Sequence, residues 1–107
     1  IKTGHIIRGW LGTQLNDISK EIREHFCYTE KYGVYVQGVV RDSPAQKSGI
    51  LPGDIILKID NIEVKNVNEA VKLVGSLKPD KMYNIEVFRK FRYLVFSVLI
   101  VQLPKDS

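Results

Sequence analysis

Metal ligands and nucleophiles are scarce in this sequence: one cysteine and two histidines in 107 residues. Cys27 has no partner for an intrachain disulfide, and with only His5 and His25 beside it no metal-ligand spacing exists. Neither a metal nor a cofactor is therefore expected. No nucleophile motif surrounds Cys27, which reads as a small apolar residue after Phe26. His5 reads as a strand residue and His25 as a helix-end cation. The longest apolar stretch, YLVFSVLIVQL at 93–103, is about half the length a helix needs to cross a bilayer, and it is rich in β-branched residues. It reads as a strand, so no direct membrane insertion is expected. The opening IKTGHIIRG lacks the apolar core and cleavage site of a signal peptide, which reads as a mature segment or an excised domain. There is no G-x-S-x-G, and dispersed serines with two histidines make no triad pattern. The chain reads as noncatalytic.

What remains is ordinary globular composition, 44% hydrophobic and 26% charged, with 8 glycines and 4 prolines in a length that suits one domain. The formal charge of +4 is scattered except at Arg89, Lys90 and Arg92, which read as a solvated turn. A nucleic-acid surface needs a longer basic stripe, so no nucleic-acid partner is expected even with Phe91 and Tyr93 nearby.

Along the chain, His5–Arg8 forms a short β-like run stopped by Gly9. In RGWLGT, residues 8–13, two glycines bracket the only tryptophan and Leu11. After Asn16 or Asp17, either a good N-cap, DISKEIREHF places Ile18, Ile22 and Phe26 on one helical stripe ending near Cys27. Gly33 opens a strand through Val34, Val36 and Val39. Ser43, Pro44 and Gly49 start and stop a small helix, and Pro52 with Gly53 turns the chain into a strand over Ile55–Ile59. Asn66 or Asn68 caps a second long helix. The runs Met82–Arg89 and Tyr93–Leu103 suit an antiparallel hairpin. This order predicts the α+β class: a partly open antiparallel barrel or sandwich capped by two helices.

The stretch SPAQKSGILPGDIILKIDN closely resembles the sPA-x-x-aGi-x-x-GD-x-I core of PDZ domains, and the likeness extends over nearly the whole chain. More narrowly, RGWLG followed by a helix and then G-V-Y-V resembles the PDZ domain that follows the protease domain in HtrA/Deg-type serine proteases. The resemblance implies a circularly permuted PDZ strand order and one PDZ domain over 1–107. A protease domain is then expected upstream of residue 1. A PDZ module of an intramembrane metalloprotease, or of a secretion or scaffold protein, is the alternative.

The resemblance also assigns a site. RGWLGT matches the family's carboxylate-binding loop, with Trp10, Leu11, Gly12 and Thr13 in its x-Φ-G-Φ positions; Thr13 departs from the usual aliphatic residue. Backbone amides of the loop would receive a peptide's C-terminal carboxylate, with Gly12 removing the Cβ that would obstruct it. Arg8 would support the carboxylate, directly or through water, or bond a protease-domain loop. Trp10 is expected to pack under the loop or against a neighbouring domain. The edge of Gln14, Leu15 and Asn16 would pair with the peptide, opposite Ala70, Val74 and Leu77 on a groove helix at about 67–77. Val67, Val71 and Leu73 are core candidates. Asp54 is expected to pin its turn through backbone donors. The implied partners are exposed hydrophobic C-termini of unfolded or misfolded envelope proteins and the chain's own protease domain, in a homo-oligomeric parent in the periplasm of a bacterium. Ligand binding would activate the protease as a sensor or tether substrate to it. The tail QLPKDS favours a single-PDZ, sensor-type parent.

Overall fold

The computed structural model describes residues 9–102, so the expected strand at His5–Arg8 and the position of Arg8 lie outside the described residues. The elements in chain order are β1 (Gly9–Trp10), β2 (Thr13–Asp17), α1 (Lys20–Phe26), β3 (Val34–Val39), α2 (Pro44–Ser48) and β4 (Ile55–Ile59). They continue with β5 (Ile62–Glu63), α3 (Val67–Ser76), β6 (Lys81–Arg89) and β7 (Arg92–Gln102). All pairings are antiparallel, in the order β1-β7-β6-β4-β3-β2, with β5 added to β4. β1 and β2 therefore stand at opposite edges of an open α+β sheet.

Local chemistry fixes most boundaries. Ser43 caps α2 by accepting from the Gln46 amide at 3.2 Å, Pro44 opens it, and Gly49 closes it at φ 104°. Asn66 caps α3 through the Glu69 amide at 2.9 Å. The start of α1 differs from the sequence expectation. Ser19 is the cap, accepting from the Ile22 amide, because Asp17 is still paired with Val34 in β2. The Asp17 carboxylate instead accepts from the Val67 amide of α3 at 2.8 Å, where a negative group complements the helix dipole. Cys27 ends α1 in the left-handed region, but it is exposed and contributes nothing to a core.

Two apolar clusters lie on the two faces of the sheet. Ile56, Ile59, Val34, Val36, Ile85 and Val98 belong to the larger cluster with Ala70 of α3 and Leu77 just after it. Ile55 and Leu57 face the other way, onto Tyr28 and Phe88, and α1 packs there through Ile22 and Phe26. β4 is thus buried on both faces, as its unbroken IIL run requires. The Tyr28 hydroxyl donates to the Tyr32 carbonyl, and burial pushes its pKa above the usual tyrosine range.

The β6–β7 hairpin turns through Lys90 and Phe91, both at positive φ (48° and 66°), with Arg89 paired to Arg92. That is the two-residue geometry that favours Asn-Gly. Replacing the pair by Asn-Gly is expected to raise stability by about 1 kcal/mol, read from the urea midpoint at unchanged m-value. Arg89 itself is not part of a solvated turn, contrary to its sequence reading. Its guanidinium makes a two-pronged pair with Asp54, Nε to Oδ1 at 2.7 Å and Nη2 to Oδ2 at 2.6 Å. The sequence cluster misleads because the partner lies 35 residues away.

Candidate functional site

A groove of about 190 Å³ runs between β2 and α3, lined by Leu11, Gly12, Thr13 and Leu15 on one side and by Ala70, Val71, Val74 and Gly75 on the other. Gly9 and Trp10 close its end. The volume is below the range of drug-sized ligand pockets, about 300–1,000 Å³, and suits one apolar side chain with a short backbone. No lining residue carries a charge.

The orientation of the loop follows from two hydrogen bonds. The Leu11 carbonyl accepts from the Ala45 amide at 3.0 Å, and the Gly12 carbonyl accepts from the Val40 amide at 2.8 Å. In a trans peptide the N–H lies opposite the C=O of the same unit. Both carbonyls therefore turn toward α2 and β3, and the Gly12 and Thr13 amides turn the other way, toward the groove. Gly12 holds φ at 86°, and a β-carbon there would sit 2.1 Å from Ser43 Cβ. Only glycine fits.

β2 continues the same logic. Thr13 pairs with Val39 while their neighbours Gly12 and Val40 make the flanking bond, so the Thr13 backbone faces the open edge. Leu15 pairs with Val36, whose amide and carbonyl are spent on Asp54 and Gly53 on the far side. The Leu15 backbone also faces outward. No described strand pairs with that edge. Side chains alternate along β2: Thr13 and Leu15 line the groove, Gln14 lies over Gly38, and the Asn16 amide donates to Gln37 Oε1 at 2.7 Å. Gln14 and Asn16 are thus on the strand but not in the groove wall.

On α3 the sequence assignment is shifted. Ala70 and Val74 line the groove, but Leu77 is 6% exposed in the main core, and Val71, expected in the core, is 58% exposed and lines the groove. Leu77 is the C-cap, with extended backbone (φ −72°, ψ 146°), so the helical period does not extend to its side chain. Val67 and Leu73 pack against the core. Gly75, not singled out by sequence, lines the groove, and a β-carbon on it would meet nothing within 4 Å. Trp10 borders the groove and also a second cavity shared with Pro44, Lys47 and Leu99; it forms a wall between them. Close approach of Gly9 closes the far end of α3, because a β-carbon there would lie 2.8 Å from the Val74 and Leu77 carbonyls.

Among the described residues no group of His, Cys, Asp and Glu is placed to hold a metal ion, and no helix is long and apolar enough to cross a membrane.

An open edge strand faced by a helix, with inward-bonded carbonyls at one end, is the arrangement of a PDZ domain. The family model described as PDZ domain matches residues 9–100, and the chain belongs to that family. Within it the similarity is to the PDZ domains of HtrA-type serine proteases. A Hahella chejuensis protein named "Probable periplasmic serine endoprotease DegP-like" is 35% identical over 98% of this chain. A Pseudomonas fulva protein of the same name is 33% identical over 98%. The chain spans 22% of the length of each of these relatives. A solved HtrA-type protease, AlgW S227A with decapeptide, superposes at a TM-score of 0.88 with 34% identity, over 94% of this chain and 31% of that one. The HtrA3 PDZ domain bound to a phage-derived ligand, FGRWV, gives 0.75 with 27% identity, over 91% and 88%.

Proposed function

We propose that this domain binds the free hydrophobic C-terminus of a peptide by adding it as a strand to β2, with the carboxylate at the Gly12 and Thr13 amides. The observation that carries the reading is the capture of the Leu11 and Gly12 carbonyls by α2 and by Val40, just past β3, which aims two donors at the end of an unpaired edge. Anions are favoured by such convergent amides. The terminal side chain enters the apolar groove against Leu15, Val71 and Val74, and main-chain pairing supplies affinity independent of sequence. The decapeptide of the AlgW structure and the FGRWV ligand of the HtrA3 PDZ structure support this reading.

The names of the relatives favour a parent that is a periplasmic serine endopeptidase of a bacterium over the metalloprotease alternative. In it the domain is noncatalytic, and terminus recognition regulates the protease or holds substrate to it, in a homo-oligomeric assembly. Exposed termini of misfolded envelope proteins are the ligand class.

The test is an NMR titration with one apolar-ended peptide as free acid and as amide. Shifts are expected at Leu11–Leu15 and Ala70–Gly75 with the acid and are lost with the amide. Equal binding of both forms rejects the carboxylate site.

A further inference from the structure

α2 has only five residues, yet it carries the carboxylate loop. At its front the Ala45 amide holds the Leu11 carbonyl, and the Ser43 side chain lies where a β-carbon on Gly12 would be. At its back the Gly49 carbonyl accepts from Arg89 Nη2 at 2.7 Å. The two ends are about 7–8 Å apart, by the rise of five helical residues. Such a short helix has little cooperativity of its own, so its placement depends on the burial of Pro44 and Ala45 and on what grips its ends.

The grip at the back is built from several parts. Arg89 bonds the Asp54 carboxylate with both prongs and reaches Gly49 with the same Nη2. Its guanidinium carbon stands 5.2 Å from the centroid of the Phe96 ring, a cation–π distance. The same ring is 3.4 Å from where a Gly49 β-carbon would be. Asp54 is 1% exposed and also accepts from the Leu51 amide at 2.9 Å, which confirms its expected role in the turn and fixes the acceptor that Arg89 needs. Hydrogen bonding to Asp54 raises the arginine pKa above its already high ordinary value, so the cation persists at any working pH. None of these residues lines the groove.

We infer that Arg89 is a positioning residue for peptide binding: clamped on Asp54 and Phe96, it holds the C-terminal end of α2, and through α2 it sets the aim of the Gly12 and Thr13 amides. The inference rests on the carboxylate reading above and predicts a specific defect. Loosening the clamp costs recognition of the charged terminus and spares recognition of the terminal side chain.

The experiment compares the chain with its Arg89→Lys variant, whose single ammonium retains the charge but lacks the fork needed for Asp54 and Gly49 together. The probes are a hexapeptide ending in valine, as free acid and as amide, and the same free acid ending in glycine. Wild type is expected to prefer acid over amide by tenfold or more, about what one charge-assisted hydrogen bond supplies. In Arg89→Lys that ratio falls to within about threefold, while the valine-over-glycine preference is unchanged. An undiminished acid preference, or equal losses for all three peptides, overturns the inference. A wild-type ratio of one overturns the carboxylate reading instead. Should Arg89→Lys fail to fold, Phe96→Leu, which leaves the ion pair intact, is expected to lower the same ratio and decides the question in its place.

Discussion

Gly12→Ala is expected to reduce binding of a free-acid peptide by about two orders of magnitude, the loss of roughly two charge-assisted hydrogen bonds. Two independent costs act at this position. The backbone stands at φ 86°, a region that taxes any residue with a β-carbon. The added carbon would also lie 2.1 Å from Ser43 Cβ. Ser43 is buried and caps α2, so it does not yield without releasing the helix. Together the strain and the overlap amount to about 2–6 kcal/mol. The chain therefore either gives up that stability or turns the loop, and turning the loop carries both donors off the groove. Isothermal titration and urea unfolding separate the two. A variant that binds within about threefold of wild type at unchanged stability would show that the loop amides are not the anion site.

The largest stability effect is expected at Arg89, from asymmetric burial. The Asp54 side chain is 2% exposed and that of Arg89 23%. Arg89→Met strands a carboxylate in the interior with only the Leu51 amide to meet it. Breaking a buried pair from one side costs about 3–5 kcal/mol, a large share of the 5–15 kcal/mol typical of a whole domain. The Tm is then expected to fall on the order of 15–30 °C. Replacing both partners, Asp54→Leu with Arg89→Met, is expected to recover part of that loss, because the desolvation of both charges is then avoided. A double variant no more stable than Arg89→Met would mean that the side chains matter for packing and not as a pair. Calorimetry of Arg89→Met, Asp54→Leu and the double variant measures the coupling.

The parts of this domain that were legible in the sequence are those governed by neighbours along the chain. Ser43, Pro44 and Gly49 announce α2 to the residue because capping and left-handed closure act within a few positions. Gly12 was singled out by its resemblance to the family's loop motif, while the contact that forbids it a β-carbon comes from Ser43, far along the chain. Asp17 was not legible: next to ISKEI it looks like the cap of the following helix, but β2 holds it and its carboxylate serves a helix fifty residues on. Arg89 was hidden in the same way, reading as one of three basic turn residues until folding brings Asp54 beneath it. The exchange of Val71 and Leu77 has another origin. A helical period fixes which residues share a stripe, but not which way the stripe faces, nor where the chain leaves the helix. β5, only two exposed residues long, carries no pattern to read.

The groove is fastened at both ends, by the Asp17 carboxylate on the first amide of α3 and by the close seat of Gly9 against its last carbonyls. Strand and helix therefore form a slot whose width is set before any ligand arrives. Such preorganisation moves the ordering entropy of binding onto the peptide, about 1–2 kcal/mol for each backbone residue fixed. A ligand residue that reaches past the outward-facing stations at Thr13 and Leu15 is ordered for little return, so the slot favours recognition by a few terminal residues over recognition of a long segment.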